Sequence, residues 1–323
     1  MMSPLVTCGI TSYNALATIE RAARTVFAQT WRPIEVIVVD DCSSDATSDV
    51  LRRLQAEFPD LHVLHNEKNL GVASSRNRII DQARGEFLAF FDDDDVSDPE
   101  RIACQILRIV DYERDFANGA PVVCHTARRQ TFPDGREVIV ATAGQQANRR
   151  GPSGLDVSRH ILTGNPLENG GGACATCSQM ARLSTYKGLG GFDPAFRRSE
   201  DTELNIRLGK AGAHFVGVGK PLVMQTMTHS SEKTLVEERK FTLMYLEKHR
   251  DLLNSSSQLP FCRRWITAKY AWLQGRLGSS LFGFGLLMLR HPVFFLRRLL
   301  SSREHAAHNR SIRMFHRASR PPS

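Results

Sequence analysis

Little in this 323-residue chain suits a membrane-spanning or disulfide-built protein. The uncharged run at 277–289 is 13 residues long, bracketed by Arg276 and Arg290, and falls short of the about 20 apolar residues that a bilayer-crossing helix needs. The seven cysteines are odd in number and scattered, so reduced thiols are expected. Cys174 and Cys177 have zinc-knuckle spacing, but no second Cys pair or His-x-x-x-His completes four ligands, and both read as small residues of a buried strand. Met1-Met2-Ser3-Pro4 lacks a basic start and a long apolar run, so no cleavable signal peptide is expected and the chain reads as cytoplasmic. Gly9-Ile10-Thr11-Ser12-Tyr13-Asn14 lacks the Gly-x-Gly-x-x-Gly turn of a dinucleotide-dependent dehydrogenase. The Gly-rich basic loop of a sugar-1-phosphate nucleotidyltransferase is missing there too. No internal repeat is present.

Positive charge is also scarce over most of the chain, although the net charge is +8. Residues 1–234 carry a net −3, whereas residues 235–323 carry +11. A folded body without a basic excess argues against nucleic-acid binding, and a basic, apolar-rich tail fits an anionic membrane surface.

From residue 5 to 127, β-branched runs of strand length alternate with helical periodicity, which predicts α/β architecture with a mostly parallel sheet. Strands are expected at 5–10, 34–39, 61–65 and 86–91. Helices are expected at 15–28 with Asn14 as N-cap, from Ser44 or Asp45 to 58, at 72–83 and at 99–116. Beyond 128 the pattern loosens into a hairpin turn at Pro133-Asp134-Gly135, polar or Gly-rich loops at 144–154 and 165–173, and a strand near 174–181. A helix after Glu200-Asp201 and strands at 214–218 and 222–227 complete this part. A charged helix to about 253, a Ser-rich link and apolar segments to about 300 follow, the run at 277–289 being suited to an interfacial position.

Asp92-Asp93-Asp94-Asp95 ends an apolar strand. Like charges so close repel unless a cation neutralises them, and oxygen-rich clusters hold hard Mg²⁺ or Mn²⁺. A second acidic pair, Asp40-Asp41, ends the second strand. Ligands of open parallel sheets bind beyond such ends, so the two clusters point to one site.

Six elements in order then resemble the family-2 glycosyltransferases, over about residues 5–231: Thr11-Ser12-Tyr13-Asn14; Val38-Val39-Asp40-Asp41-Cys42-Ser43-Ser44-Asp45; Asn69-Leu70-Gly71 with Ala73-Ser74-Ser75-Arg76-Asn77; Phe91 with the four aspartates; Gly190-Gly191-Phe192-Asp193; and Glu200-Asp201 with Leu204 and Arg207. The resemblance implies the GT-A fold, a Rossmann-like, mostly parallel sheet with flanking helices, here with a C-terminal helical extension. Its catalytic domain would span 1–234, with a nucleotide-binding half to about 127 and an acceptor half from 128. Residues 235–323 would form a basic helical tail, disordered at its end.

By the same resemblance Asp41 would meet the base edge of the nucleotide, with Thr11 and Tyr13 beside it and Arg76 near the base or phosphates. Asp92 would lie near the ribose and Asp94 on the metal, with Asp93 serving either. The usual glycine of the second-strand motif is Cys42 here. Asp201, beside Glu200, would be the general base of an inverting transfer, against the reading that both acids merely complement a helix dipole. His229 would contact metal or diphosphate, or be an ordinary surface or core histidine.

The implied enzyme is a metal-dependent, inverting hexosyl- or N-acetylhexosaminyltransferase using a UDP-linked sugar. Its acceptor would be a saccharide or a lipid-linked acceptor of surface polysaccharide or glycoconjugate synthesis, met peripherally at the inner face of the membrane. The competing reading is a non-catalytic membrane-surface binding protein with a degenerate nucleotide-binding domain, which loss of Asp94 or Asp201 would favour. For the tail, the alternative to a membrane is packing on the catalytic domain or a second subunit.

Overall fold

Val36, Val38, Ala89 and Phe91 are buried on one face of the sheet and Ile37, Val39, Leu88 and Phe90 on the other, because these strands carry helices on both faces, which is why the runs barely alternate. The computed structural model describes residues 3–227, 234–302 and 314. Nine strands are formed among them: β1 Val6–Ser12, β2 Ile34–Asp40, β3 Leu61–His65, β4 Phe87–Asp92, β5 Val96–Ser97, β6 Val122–Thr131, β7 Glu137–Val140, β8 Gln179–Arg182 and β9 His214–Thr226. The helices are α1 Ile19–Phe27, α2 Thr47–Glu57, α3 Val72–Gln82, α4 Arg101–Tyr112, α5 Gly154–Thr163, α6 Leu183–Gly188, α7 Glu200–Lys210, α8 Leu235–Lys248, α9 Gln258–Leu273, α10 Leu277–Arg290 and α11 Pro292–Ser302.

One sheet runs β3-β2-β1-β4-β8-β6-β9-β5, with β7 paired to β6. The first four strands are parallel, whereas β8 is antiparallel to both β4 and β6. Register sets the site: Thr11 of β1 pairs with Val39 and with Asp92, and Ser12 with Asp40, so three strands end level.

Three local expectations are corrected. Asn14 does not cap α1; it adopts a left-handed φ of 50° and its Oδ1 accepts the Ser44 amide at 2.8 Å, tying the first loop to the second. The two strands expected at 214–227 are one strand, β9, with a register shift opposite Thr126 and Ala127. The strand expected from 174 is a 3₁₀ turn, Thr176–Ser178, followed by the short β8. The sequence reading also missed α5, inside a region it left unassigned.

The helices after 234 share a core with the sheet's helices. Leu162 of α5 and Ile206 of α7 pack with Leu246, Phe261, Trp265, Ile266, Tyr270 and Leu287. Trp265 and Tyr270, in the tail expected to suit a membrane surface, are therefore inside the fold. α7 lies between two cores, because Leu204 and Leu208 face the sheet while Ile206 faces the C-terminal helices. Each such buried side chain stabilises by about 1.5–3 kcal/mol.

Glu203 fastens this helix. Its fully buried carboxylate meets Arg207 at 2.9 Å, Lys248 at 2.5 Å and His249 at 3.2 Å. Burial alone would raise its pKa, but these donors outweigh burial and hold it at about 2. Glu203→Ala should cost roughly 1–3 kcal/mol in denaturant unfolding, since it takes the carboxylate from the buried His249 and the half-buried Arg207, while the exposed Lys248 keeps Asp193. The folded pKa is depressed below the unfolded value of about 4.3, so the carboxylate's contribution is complete above that pH and is lost as pH falls toward about 2. Unfolding measured between pH 2 and 5 should show a steeper acid loss in the wild type than in the variant; equal slopes would refute the assignment.

Candidate active site

The level strand ends open into a cleft of about 1600 Å³ lined by Thr11, Tyr13, Asp41, Arg76, Asp92, Asp93, Asp94, Glu200 and Asp201. All the expected site residues except His229 thus meet in one place; His229 lies outside the described residues.

Just past the end of β2, Asp41 is buried. Its Oδ1 accepts from Asn66 Nδ2 at 2.6 Å and from the Leu70 amide at 2.8 Å, and its Oδ2 from the Gly71 amide at 2.8 Å. Asp41 therefore braces the Asn69-Leu70-Gly71 loop, with lone-pair capacity left for one further donor. Gly71 has φ 89°, a conformation that suits glycine. Asp40 is structural, accepting from Ser43 and from Ser48 Oγ at 2.7 Å. Cys42 keeps the left-handed backbone, φ 64°, that a glycine would supply. Thr11 is half-buried and Tyr13 exposed.

The four aspartates divide. Asp92, Asp93 and Asp94 line the cleft, whereas Asp95 is buried and accepts from Gln225 Nε2 at 3.2 Å. Asp93 accepts the Tyr13 amide at 3.0 Å. Burial and neighbouring aspartates push the pKa of Asp93 up to about 7 and that of Asp95 up to about 8. Oxygens of Asp92 and Asp95 and the sulfur of Cys177 lie within 4.8 Å of one another. Burial, then Asp95, raises the Cys177 pKa well above normal, so that neutral sulfur is a poor ligand and the hard oxygens of the cluster suit Mg²⁺ or Mn²⁺.

Arg76 is placed differently from the expectation. Its buried guanidinium, flanked by the rings of Phe90 and Phe192, donates through Nη2 to Asp92 at 3.0 Å and through Nη1 to Glu200 at 2.7 Å. Both terminal nitrogens are thus engaged by carboxylates. Burial and the nearby Asp201 raise the Glu200 pKa against the opposing effect of Arg76. Asp201, next in the chain, has no cation within 4.0 Å among the described residues, and its Oδ1 accepts the Thr202 amide at 2.6 Å.

The helix bearing Asp201 is held from several sides. Asn205 Nδ2 donates to the Cys174 carbonyl at 2.7 Å. Asn77 of α3 accepts the Phe192 amide at 2.7 Å and donates back to the Phe192 carbonyl at 2.8 Å, against a glycine, Gly191, with φ 71° and no room for a Cβ. Arg197 donates to the Asn69 carbonyl at 3.1 Å. Sequence reasoning missed Arg101, which is fully buried behind the acidic strand end, donates to the Phe90 carbonyl at 2.7 Å and lies 4.1 Å from the Phe91 ring centroid. A lone arginine in a helix carries no sequence signal for such a place.

Comparisons with known proteins agree with this geometry. The succinoglycan biosynthesis protein ExoO of Rhizobium meliloti is 39% identical over 121 residues, 37% of this chain and 32% of that protein. The GalNAc(5)-diNAcBac-PP-undecaprenol beta-1,3-glucosyltransferase of Campylobacter jejuni is 33% identical over 93 residues, 28% of this chain and 30% of that one. The chain spans between 32% and 41% of the length of ExoO and two other curated relatives that it matches. S. aureus TarS 1–349 with UDP superposes with a TM-score of 0.60 at 17% identity, over 98% of this chain and 93% of that one. The mannosyltransferase PcManGT of Pyrobaculum calidifontis, with GDP-Man and Mn²⁺, superposes at 0.59 and 14% identity over 98% and 85%. These structures share the fold, so the expected GT-A architecture holds. The profile of Glycosyl transferase family 2 matches residues 7–170, half of the chain, and with the level acidic strand ends beside Asp201 this chain belongs to that family.

Proposed function

We propose that this chain transfers a hexosyl or N-acetylhexosaminyl group, with inversion, from a UDP-linked sugar to a saccharide or lipid-linked acceptor in surface polysaccharide synthesis. The observation that carries the reading is Asp201: a carboxylate without a cation partner among the described residues, opening on the same cleft as Asp92, Asp93 and Asp94. Relatives named for succinoglycan synthesis and for an undecaprenol-diphosphate-linked acceptor support the acceptor class, and UDP in TarS supports the nucleotide. Retention of Asp94 and Asp201 speaks against a degenerate, non-catalytic domain.

On the donor side, Asp41 accepts the imide N–H of the base, with Thr11 and Tyr13 alongside, and Asp92 and Asp93 face the ribose and diphosphate. Asp94, with His229, would hold Mg²⁺ or Mn²⁺, which when bound supplies charge neutralisation of the diphosphate leaving group. Asp201 takes the proton from the acceptor hydroxyl as that oxygen attacks the anomeric carbon from the face opposite the diphosphate. Glu200 cannot do this freely while Arg76 holds it; it orients the guanidinium between the two ends of the site.

Asp201→Asn should lower turnover by about 10²–10⁴-fold and leave UDP binding intact, read as sugar transfer or donor hydrolysis beside a thermal shift with UDP. Near-normal turnover would remove Asp201 from the chemistry. UDP at about 100 times its Kd should stabilise the protein by about 2.7 kcal/mol only with Mg²⁺ or Mn²⁺ present, and Asp94→Asn should abolish that dependence. Equal stabilisation in excess chelator would overturn the metal-bridged donor.

Peripheral attachment to the inner membrane face belongs to the same proposal. No helix among the described residues is long and apolar enough to cross a membrane. In α10, Ser280, Gly283 and Leu287 pack inward, with Gly283 against Ala268, while Leu281, Phe282 and Leu289 are 71–83% exposed. Apolar groups of this kind enter a headgroup boundary, and Arg290 and Arg297 add about 1 kcal/mol each near anionic lipid. The full chain should float with phosphatidylglycerol vesicles, be partly released by salt, and lose most of that binding on Phe282→Asp with Leu289→Asp. A wild-type chain that stays free of such vesicles at low salt would refute attachment.

A further inference from the structure

The cleft changes sign from one wall to the other. Carboxylates line the strand ends, while the wall built by α9 and α11 contributes Lys269 and Arg298. Lys269 is half-buried beside the Tyr270 ring. Arg298 lies 5.5 Å over the Trp265 ring and donates to the Leu162 carbonyl at 3.2 Å. Neither cation has a carboxylate within 4.0 Å among the described residues, and the acid facing them, Glu238, lies 3.9 Å from Arg198. Burial first, then Arg298, lowers the Lys269 pKa, and burial lowers that of Arg298.

Two like charges held together inside a protein are costly unless an anion joins them. The surrounding walls are apolar, formed by Trp265, Trp272, Phe284 and Phe295, and the exposed apolar face of α10 lies on the same helical layer. An inorganic anion would use the cations but not the aromatic walls. A phosphate carried on a hydrocarbon chain would use both.

We infer that Lys269 and Arg298 form the acceptor-phosphate pocket, holding the mono- or diphosphate of a lipid-linked acceptor while the aromatic walls take the first part of its hydrocarbon chain. This deepens the reading that the acceptor is lipid-linked and rests on it. Arg298 offers two donors to the phosphate oxygens and Lys269 a point charge, and the arrangement keeps the acceptor's anion away from the acidic strand end that faces the donor.

The test uses the full chain in detergent micelles, with quenching of the pocket tryptophans by farnesyl phosphate, farnesol and inorganic phosphate. Farnesyl phosphate should bind at least tenfold more tightly than farnesol, and Lys269→Gln and Arg298→Gln should each remove at least tenfold of that affinity. Lys269→Arg should retain it, and Arg264→Gln, on the exposed side of α9, should leave it unchanged. Stabilisation by UDP with Mn²⁺ should be the same in all of them, so a failed donor reading and a failed phosphate pocket give different patterns. Equal affinity of the wild type for farnesyl phosphate and farnesol overturns the pocket without reference to any variant. Wild-type affinity in both glutamine variants does the same. Inorganic phosphate binding as tightly as farnesyl phosphate overturns the lipid assignment and makes the site one for free phosphate.

Discussion

One buried guanidinium joins the two ends of the site. Asp92 ends a strand of the parallel half and Glu200 begins a helix of the other half, 108 positions later in the chain, and both carboxylates close on Arg76. Without that cation, Asp92, Asp93 and Asp94 would face Glu200 and Asp201 across a desolvated gap, and the helix carrying Asp201 would be pushed from the strand ends by repulsion. Phe90 and Phe192 flank the guanidinium and exclude water from it, which strengthens the pairing through the lower local dielectric. Glu203, two residues beyond Asp201, performs a matching task about one turn further along the same helix. The helix is thus fixed by charge at its start and by charge one turn on.

The parallel half was legible because its signals are local. Unbroken β-branched runs, strand-length spacing and helical periodicity fall within short windows, and β1 to β4 with α1 to α4 appear within a few residues of their expected bounds. The part of the chain after α4 was less legible because its elements are short and its loops long: α5 stands among polar residues, and β8 is four residues inserted between strands that are distant in sequence. Asn14 has the composition of a helix cap, but its oxygen serves a loop 30 residues away. The site residues were legible as a set through the family resemblance, whereas their partners were not. That Asp41 is braced by three donors, that Arg76 spans to Glu200 and that Arg101 lies behind the aspartates are all long-range facts.

The C-terminal helices are where composition misled most usefully. Their aromatic and basic residues read as membrane-seeking, yet Trp265 and Tyr270 complete the core around α7 while Leu281, Phe282 and Leu289 remain outside. The same composition therefore serves two faces, one turned to the protein and one to solvent, separated by the rotation of α10 against α9. Gly283 permits that close contact, since a Cβ there would stand 3.0 Å from the Ala268 side chain.

Because α8 and α9 complete the core around α7, the chain also has an order of assembly. The four parallel strands are contiguous in the chain and are available for packing soon after α4 has been made. Ile206, by contrast, waits for α9 about 60 residues further on and Leu162 about 100, roughly 3–20 s at a synthesis rate of about 5–20 residues per second. The acidic strand ends can thus be assembled while α7 still lacks one of its two supporting walls, and the segment that finally fixes the helix of Asp201 is made only after the strand ends that the helix faces.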